Sequence, residues 1–353
     1  MEPPSFLLFG FGPRRRKLVY ARGRLLDAFT LEPAFDLGRV RNAAIDPVAR
    51  TVRLDTDGGP ALLAEDEAGV HAVRGGERTT LTAGDPVRLP DFAGHPHAAL
   101  LRRMHAELLL CCTPFGPVPN PWVYPRPWYR DAAMLAMVLR ETGNLPLLRD
   151  WILGLAKPYD RNNAGDAEPD NLGQALFLLS LVPAAEGGGA GHPLVPAILR
   201  EAEARRGADG ALRGRVDGQV RAVYPTKWLK FGLRALGLDD SDWRIPDEPD
   251  DYADLFWMDF RDAPVAFSRD FASGNALARY PYLAWAQAHF RGAPTPEDPA
   301  TLAFSREAMA SEARYDRLAP LVEADVLPAA HAAERLATPH AWHAAEVFLH
   351  LLG

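Results

Sequence analysis

Apolar and polar residues alternate in short segments over the first quarter of the chain. The alternation is found in four places, at residues 17–21, 51–55, 70–73 and 79–81. Strict alternation of this kind is typical of half-buried β-strands. Glycines at 58–59 and 75–76 separate such segments, and glycine accepts the positive φ that tight hairpin turns require. The pattern predicts a β-rich domain over residues 1–92.

From residue 93 onward the apolar runs become longer than strands and are bounded by helix-end signals. The segment 129–142 follows Pro127 and precedes Gly143, which is the asymmetry expected of the two ends of a helix. Its body, residues 132–139, is apolar on every side. A helix with this composition is expected to be buried all round.

Buried helices of this type are predicted to alternate with half-exposed ones. Residues 170–182 are again apolar almost throughout, whereas 145–155 and 193–206 have one charged side. Further buried helices are expected to begin near three prolines, Pro225, Pro281 and Pro339. An inner ring of helices enclosed by an outer ring would give this order. The sequence therefore predicts a mainly α fold, an (α/α)6 toroid over residues 93–353 behind the β-rich domain, with a generic all-α domain as the alternative.

The composition argues against several classes of protein. The chain has 39 Lys and Arg against 46 Asp and Glu, a net charge of −7, so it lacks the basic excess that nucleic-acid binding requires. No apolar run approaches the roughly 20 residues of a membrane span. Cys111 and Cys112 are adjacent and cannot form a disulfide framework. The apolar residues 6–10 precede the basic residues 14–17, the reverse of a signal peptide. We expect a cytoplasmic protein with no nucleic-acid or membrane partner.

Aromatic and acidic residues are concentrated near the expected starts of the buried helices. Aromatic rings suit the apolar faces of a sugar, and paired carboxylates suit acid-base cleavage of a glycosidic bond. The candidate catalytic residues are Asp131, Glu168, Asp170, Asp254 and Glu346. The candidate substrate-binding residues are Trp128, Tyr129, Arg130, Lys227, Trp228, Trp257, His340, Trp342 and His343. Each acidic residue also has a structural interpretation, because acids stabilise helix N-termini.

The run Trp128-Tyr129-Arg130-Asp131 resembles the Trp-x-Arg-Asp motif of glucoamylase-like six-hairpin glycosidases. The run 339–346 is similar to the last inner helix of that superfamily. The resemblance covers roughly residues 95–353. It implies that Arg130 and Asp131 hold the sugar where cleavage occurs, and that the configuration of the sugar is inverted.

The two-glutamate signature of glucoamylase itself is not found, so the resemblance does not identify the general acid. We place the general acid on Glu168 or Asp170, with Glu346 or Asp254 as its partner. The prediction is an exo-acting, inverting hydrolase of small oligosaccharides or glycosides, without a cofactor.

Two alternatives to a hydrolase remain open. One is a polysaccharide lyase or a sugar epimerase on the same fold, and the other is a non-catalytic sugar-binding or scaffold protein. His340 and His343 are three residues apart, a spacing that permits shared metal coordination. No acid at a matching spacing completes a ligand set, so no metal is predicted.

Overall fold

A computed structural model describes residues 5–162, 165–216, 218–247, 329–336 and 341–352. Its N-terminal part contains two antiparallel sheets in which each strand pairs with the next strand along the chain. Sheet 1 consists of β1 (Phe6–Phe9), β2 (Leu18–Ala21), β3 (Arg24–Asp27) and β4 (Pro33–Phe35). Sheet 2 consists of β5 (Val40–Asp46), β6 (Thr51–Thr56), β7 (Gly59–Glu65), β8 (Gly69–Arg74) and β9 (Glu77–Ala83).

The predicted strands and turns of this part are confirmed, although β2, which was expected to be half-buried, is buried at every residue. In β6, Val52 and Leu54 are buried while Arg53 is exposed, as the alternation requires. Gly75 and Gly76 join β8 to β9 with φ of 57° and 85°. Positive φ at two consecutive positions suits a tight hairpin turn, and only glycine adopts it without strain.

Strands β1 and β2 of sheet 1 are buried on both faces, which explains their continuous apolar runs. In β1, Phe6 and Leu8 pack into the core of the helical part, whereas Leu7 and Phe9 pack against sheet 2. Successive side chains of a strand point to opposite faces, so one apolar strand contributes to both cores. The described part is therefore layered, with sheet 1 between sheet 2 and the helices.

A buried charged group fixes the loop after β1. Glu65 Oε1 accepts hydrogen bonds from the backbone N–H groups of Gly10 and Phe11, at 2.9 and 2.7 Å. Glu65 also pairs with Arg15 at 3.4 Å and with Arg50 at 3.3 Å. All three charged side chains are buried. This network connects sheet 2 to the loop that leads from β1 into β2.

The remaining elements are mostly helical. They are α1 (Ala98–Leu110), β10 (Cys112–Thr113), β11 (Gly116–Pro117), α2 (Tyr129–Glu141), α3 (Arg149–Leu153), α4 (Asp170–Ser180), α5 (Val195–Ala204), β12 (Gly214–Val216), β13 (Gln219–Arg221), α6 (Val223–Ala235), α7 (Ala329–Ala333) and α8 (Ala341–Leu352). Short 3-10 turns at Leu145–Leu148, Ala184–Glu186 and Gly189–Gly191 connect some of them. No helix in the described ranges is both long and apolar enough to cross a bilayer.

The burial predicted for individual helices is confirmed. Every residue of α2 from Tyr129 to Leu139 is buried, and so is every residue of α4 from Asp170 to Leu179. Helix α5 buries only one side. Helix α2 packs between α4 and α8, and α4 packs against α6.

The predicted mainly α fold with an (α/α)6 toroid is wrong. The part of the chain that the structure describes contains 13 strands in four antiparallel sheets, and the hairpins β10–β11 and β12–β13 interrupt the helical part. A helix that is apolar on every side is expected to be enclosed, but this pattern does not show which elements enclose it. In this protein, sheet 1 contributes to the core that surrounds the buried helices. The helix expected near Pro281 lies outside the described residues. The division into domains 1–92 and 93–353 stays a prediction.

Candidate functional site

The N-terminal ends of α2 and α4 lie side by side and are joined through Arg130. Its Nη2 atom lies 2.8 Å from Glu168 Oε2 and 2.9 Å from Asp170 Oδ2. Its Nε–H also donates to Asp170 Oδ2 at 3.0 Å. All three side chains are buried. A guanidinium that binds two carboxylates by several charge-assisted hydrogen bonds has a fixed orientation, so this group positions the two helix ends relative to each other.

Neutral amides extend the ion-pair group. Gln174 Nε2 donates to Asp170 Oδ2 at 2.8 Å, and Asn171 Nδ2 donates to Gln174 Oε1 at 3.0 Å. On the other side, Asn162 Nδ2 donates to Glu168 Oε1 at 3.0 Å. Asp170 Oδ1 is buried and has no hydrogen-bond partner among the described residues. The carboxylates are thus held in defined orientations from both sides.

A further carboxyl group, Asp160, belongs to the loop between α3 and α4. Its Oδ2 atom accepts a hydrogen bond from the backbone N–H of Tyr129, and its own N–H donates to Asn171 Oδ1 at 3.3 Å. Desolvation by burial raises the pKa of Asp160 to about 7. The hydrogen bond from the Tyr129 backbone and the positive charge of Arg130 lower this pKa, whereas the negative charges of Asp170 and Asp131 raise it further. A carboxyl that keeps its proton near neutral pH has the property required of a general acid.

Several aromatic rings lie near Arg130 and the start of α2. The ring of Tyr224 lies beneath the Arg130 guanidinium, 5.8 Å from its central carbon to the ring centroid. The half-buried Trp128 ring lies 5.3 Å from that of Tyr124. Tyr129 is buried and its hydroxyl donates to the Lys157 carbonyl at 2.8 Å. The rings of Trp128 and Tyr124 therefore form an aromatic pair next to the start of α2.

The structure brings together some of the residues that the sequence singled out. Arg130, Glu168 and Asp170 are in direct contact. Asp131, in the first turn of α2, is buried and its charge acts on Asp160. These carboxylates thus belong to one site, although the prediction that Glu168 or Asp170 is the acid stays a prediction. Their pairing with a guanidinium suits them better to holding Arg130 than to donating a proton.

Other candidate residues lie in the apolar core. Trp228 is fully buried and packs edge-on against the rings of Tyr224 and Phe231. Trp342 is also buried within the core of the helical part, and Lys227 is buried on α6. Burial among apolar side chains favours a packing role for the two tryptophans. Their predicted contact with substrate stays a prediction.

The remaining candidates cannot be placed in the site. Asp254, Trp257 and His340 lie outside the described residues. His343 and Glu346 belong to α8, but their side chains are outside the described part. The predicted partnership of the acid with Glu346 or Asp254 therefore stays a prediction. Within the described ranges, no group of three or more His, Cys, Asp or Glu is arranged to hold a metal ion.

Sequence reasoning missed three residues of the site, Asp160, Asn162 and Gln174. Asp160 and Asn162 are half-buried in a loop, where there is no periodicity to indicate which side chains face the protein. Gln174 is a polar residue within an otherwise apolar helix and is fully buried. Because a buried amide requires a hydrogen-bonding partner, the presence of Gln174 in this apolar helix indicates that a polar group packs against α4.

Comparison of the chain with family models, with curated proteins and with solved structures finds no match. The predicted membership of the six-hairpin glycosidase superfamily is wrong, because four small sheets occur among the described elements and no family model supports it. The roles that the resemblance implied for Arg130 and Asp131 lose that support. Their assignment now depends on the geometry of the site alone.

Proposed function

We propose that the carboxylates at the N-terminal ends of α2 and α4 form the acid-base site of a glycoside hydrolase. The observation that carries the proposal is the grouping of carboxyl groups at these helix ends. Asp160 accepts a hydrogen bond from the backbone N–H of Tyr129, and the next residue, Arg130, binds Glu168 and Asp170. Burial also raises the pKa of Asp160 to about 7, which suits the carboxyl that must keep its proton in a glycosidase.

In the proposed reaction, Asp160 donates its proton to the leaving glycosidic oxygen as the bond from the anomeric carbon to that oxygen breaks. A water molecule attacks the same carbon and transfers its proton to the Asp131 carboxylate. Arg130 acts as a positioning residue because it holds Glu168 and Asp170 in place beside them. No cofactor is needed for this balance of protons and bonds.

The aromatic side chains support a carbohydrate as the substrate. Trp128 and Tyr124 form a ring pair at the start of α2, and Trp128 is only half-buried. Aromatic faces bind the apolar C–H faces of sugars. The exo mode of action, the small size of the substrate and the cytoplasmic location are retained from the sequence as parts of the proposal.

Hydrolysis of a panel of aryl glycosides and disaccharides tests the proposal. We expect Asp160→Asn to lower kcat by about 100-fold or more for substrates with a poor leaving group. The decrease in kcat should be smaller for nitrophenyl glycosides, because their leaving group needs less protonation. Asp150→Asn, an aspartate on α3 with a side chain 77% exposed, is the matched control and should retain full activity.

The pH profile adds a second readout. Because Asp160 must be protonated to act, kcat/KM of the wild type should fall as the pH rises through about 7. Absence of sugar release by the wild type from every substrate would refute the hydrolase proposal. If Asp160→Asn lowers kcat equally for substrates with good and with poor leaving groups, Asp160 is not the general acid.

A second candidate function is non-catalytic, and one observation favours it. The hydrogen bonds of Arg130 to Glu168 and Asp170 join α2 to α4 within the protein itself, as expected of a structural ion-pair group. In that case the group only holds the two helices together, and a sugar binds without being cleaved. Calorimetric titration of the panel disaccharides distinguishes binding without turnover from hydrolysis.

A further inference from the structure

A histidine on sheet 2 joins a threonine hydroxyl to a carboxylate. The Nδ1 atom of His71 lies 3.2 Å from Thr80 Oγ1, and its Nε2 atom lies 3.2 Å from Asp66 Oδ1. The His71 side chain is only 6% exposed, whereas Thr80 is exposed. A hydroxyl, an imidazole and a carboxylate in this order are the arrangement of a nucleophile, its base and the group that orients the base.

The pairing of β8 with β9 explains how the hydroxyl and the imidazole meet. His71 and Thr80 are directly opposite each other in the antiparallel register, so their side chains lie on the same face of the sheet. Val70 and Ala72 pack toward sheet 1, which places His71 on the outer face. The register shifts directly after this pair, because Val70 is opposite Thr82 and one residue of β9 is skipped. Such β-bulges are over-represented next to active sites, where they re-aim side chains.

The Asp66 carboxylate is held in place and ionised. Its Oδ1 atom accepts the backbone N–H groups of Ala68 and Gly69 at 2.8 and 3.1 Å, and its Oδ2 atom accepts from Arg78 at 2.6 Å. Burial opposes ionisation, but hydrogen bonds from Ala68, Arg78 and His71 lower the pKa of Asp66 to about 2. An ionised carboxylate can only accept hydrogen bonds. The proton between Asp66 and His71 therefore belongs to Nε2 of the imidazole.

This proton fixes the direction of the second hydrogen bond. A neutral imidazole has one N–H and one lone pair, so Nδ1 of neutral His71 accepts and the Thr80 hydroxyl donates. The hydroxyl thus directs its proton at a base, as a nucleophile does before it attacks. Cross-strand polar pairs also stabilise sheets, and that effect accounts for the contact of threonine with histidine. It does not account for the carboxylate held against the other ring nitrogen.

We propose that Thr80 is a nucleophile that accepts an acyl group from activated esters, with His71 as its base and Asp66 as the positioning residue for His71. Thr80 Oγ1 forms a bond to the acyl carbon, and the bond from that carbon to the leaving oxygen breaks. The Thr80 proton passes to His71 Nδ1 and from there to the leaving oxygen. The products are an ester on Thr80 and a free alcohol. The site shares no residue with the carboxylate cluster and is independent of the proposed hydrolase function.

Peptide mapping by mass spectrometry after brief exposure to p-nitrophenyl acetate at neutral pH tests the proposal. Thr79 is the matched internal control, because it is also exposed but lies opposite Ala72 on the other face of β9. General-base catalysis contributes about 100-fold or more, so folded protein should be acetylated about 100-fold faster at Thr80 than at Thr79. In urea, where the three groups separate, the two threonines should react at equal rates. Equal acetylation of the two threonines in the folded protein would overturn the proposal.

Substitutions assign the roles of Thr80 and His71. Thr80→Ser keeps the hydroxyl and should still be acetylated at this position, whereas Thr80→Val should not. His71→Gln should lower the acetylation rate of Thr80 by about 100-fold, and His97→Gln, at a half-buried histidine before α1, is the control that should leave it unchanged. Circular dichroism checks that each variant is folded. Unchanged acetylation of Thr80 in folded His71→Gln would contradict the role of His71. If that variant does not fold, the comparison of Thr80 with Thr79 in the wild type decides.

Nitrogen NMR of the histidine rings tests the role of Asp66. Neutral His71 in the wild type should be the Nε2–H tautomer, because the Asp66 carboxylate accepts that proton. Asp66→Ala should populate the Nδ1–H tautomer as well and slow the acetylation of Thr80. A predominant Nδ1–H tautomer in the wild type would refute the assigned directions of both hydrogen bonds, and with them the proposal.

Discussion

Helices α4 and α6 approach each other closely at a glycine. A Cβ atom on Gly173 of α4 would lie 2.1 Å from the carbonyl carbon of Trp228, 2.2 Å from its oxygen and 2.4 Å from the nitrogen of Leu229. All three atoms belong to the backbone of α6. Because a backbone cannot rotate away as a side chain can, Gly173→Ala requires α4 and α6 to separate.

The expected cost follows from two opposing effects. Alanine is preferred over glycine within a helix by about 1 kcal/mol. Overpacking of a buried site costs about 1–3 kcal/mol and occasionally more, and a clash with three backbone atoms belongs at the upper end or above it. We therefore expect Gly173→Ala to lower the free energy of unfolding by about 2 kcal/mol or more.

Urea denaturation followed by circular dichroism measures this loss. The control is Gly191→Ala, since Gly191 is exposed and a Cβ there has no neighbour within 4 Å. Its effect should remain within about 0.5 kcal/mol, as for most surface substitutions. If Gly173→Ala is as stable as the wild type, the backbone contact between α4 and α6 does not exist and the reasoning fails.

Three further predictions concern buried ionisable groups. Between about pH 4 and 7, Asp160 keeps its proton in the folded protein but releases it in the unfolded chain. The contribution of Asp160 to the free energy of unfolding therefore falls as the pH rises and levels off above 7. Denaturation curves of Asp160→Asn at several pH values should lack this pH-dependent contribution. Glu65→Gln leaves two buried arginines without a charged partner, and we expect urea denaturation to show a loss of about 3–5 kcal/mol. Burial raises the pKa of the Cys112 thiol to about 12 and also raises the pKa of Cys111. Iodoacetamide at pH 8 should therefore label both cysteines only in denaturant. Rapid labelling of the folded protein would contradict their burial.

Local pattern was sufficient to place many of the elements. Pro127 and Gly143 bracketed α2, which the structure places at Tyr129–Glu141. The alternation at residues 51–55 corresponds to β6. Caps, turns and alternation depend on residues within a few positions of each other, and such signals can be read from the chain without knowing its neighbours in space.

The candidate site could be predicted only in part. The acidic residues near the starts of α2 and α4 were visible in the sequence, but nothing local indicated that Arg130 pairs with Glu168 and Asp170, 38 and 40 residues later. The raised pKa of Asp160 depends on desolvation by the folded chain. A loop residue without periodicity carries no sign of that burial.

Local patterns along the chain place the ends of several helices and strands and identify their apolar faces. What covers those faces depends on contacts between residues that are distant in the sequence. The apolar residues of β1 contribute to two cores at once, and sheet 1 forms part of the core that encloses the buried helices. The hydrophobic effect that drives this burial is non-directional. An apolar face lowers its free energy against any complementary surface, so local pattern predicts that a face is covered without specifying the partner.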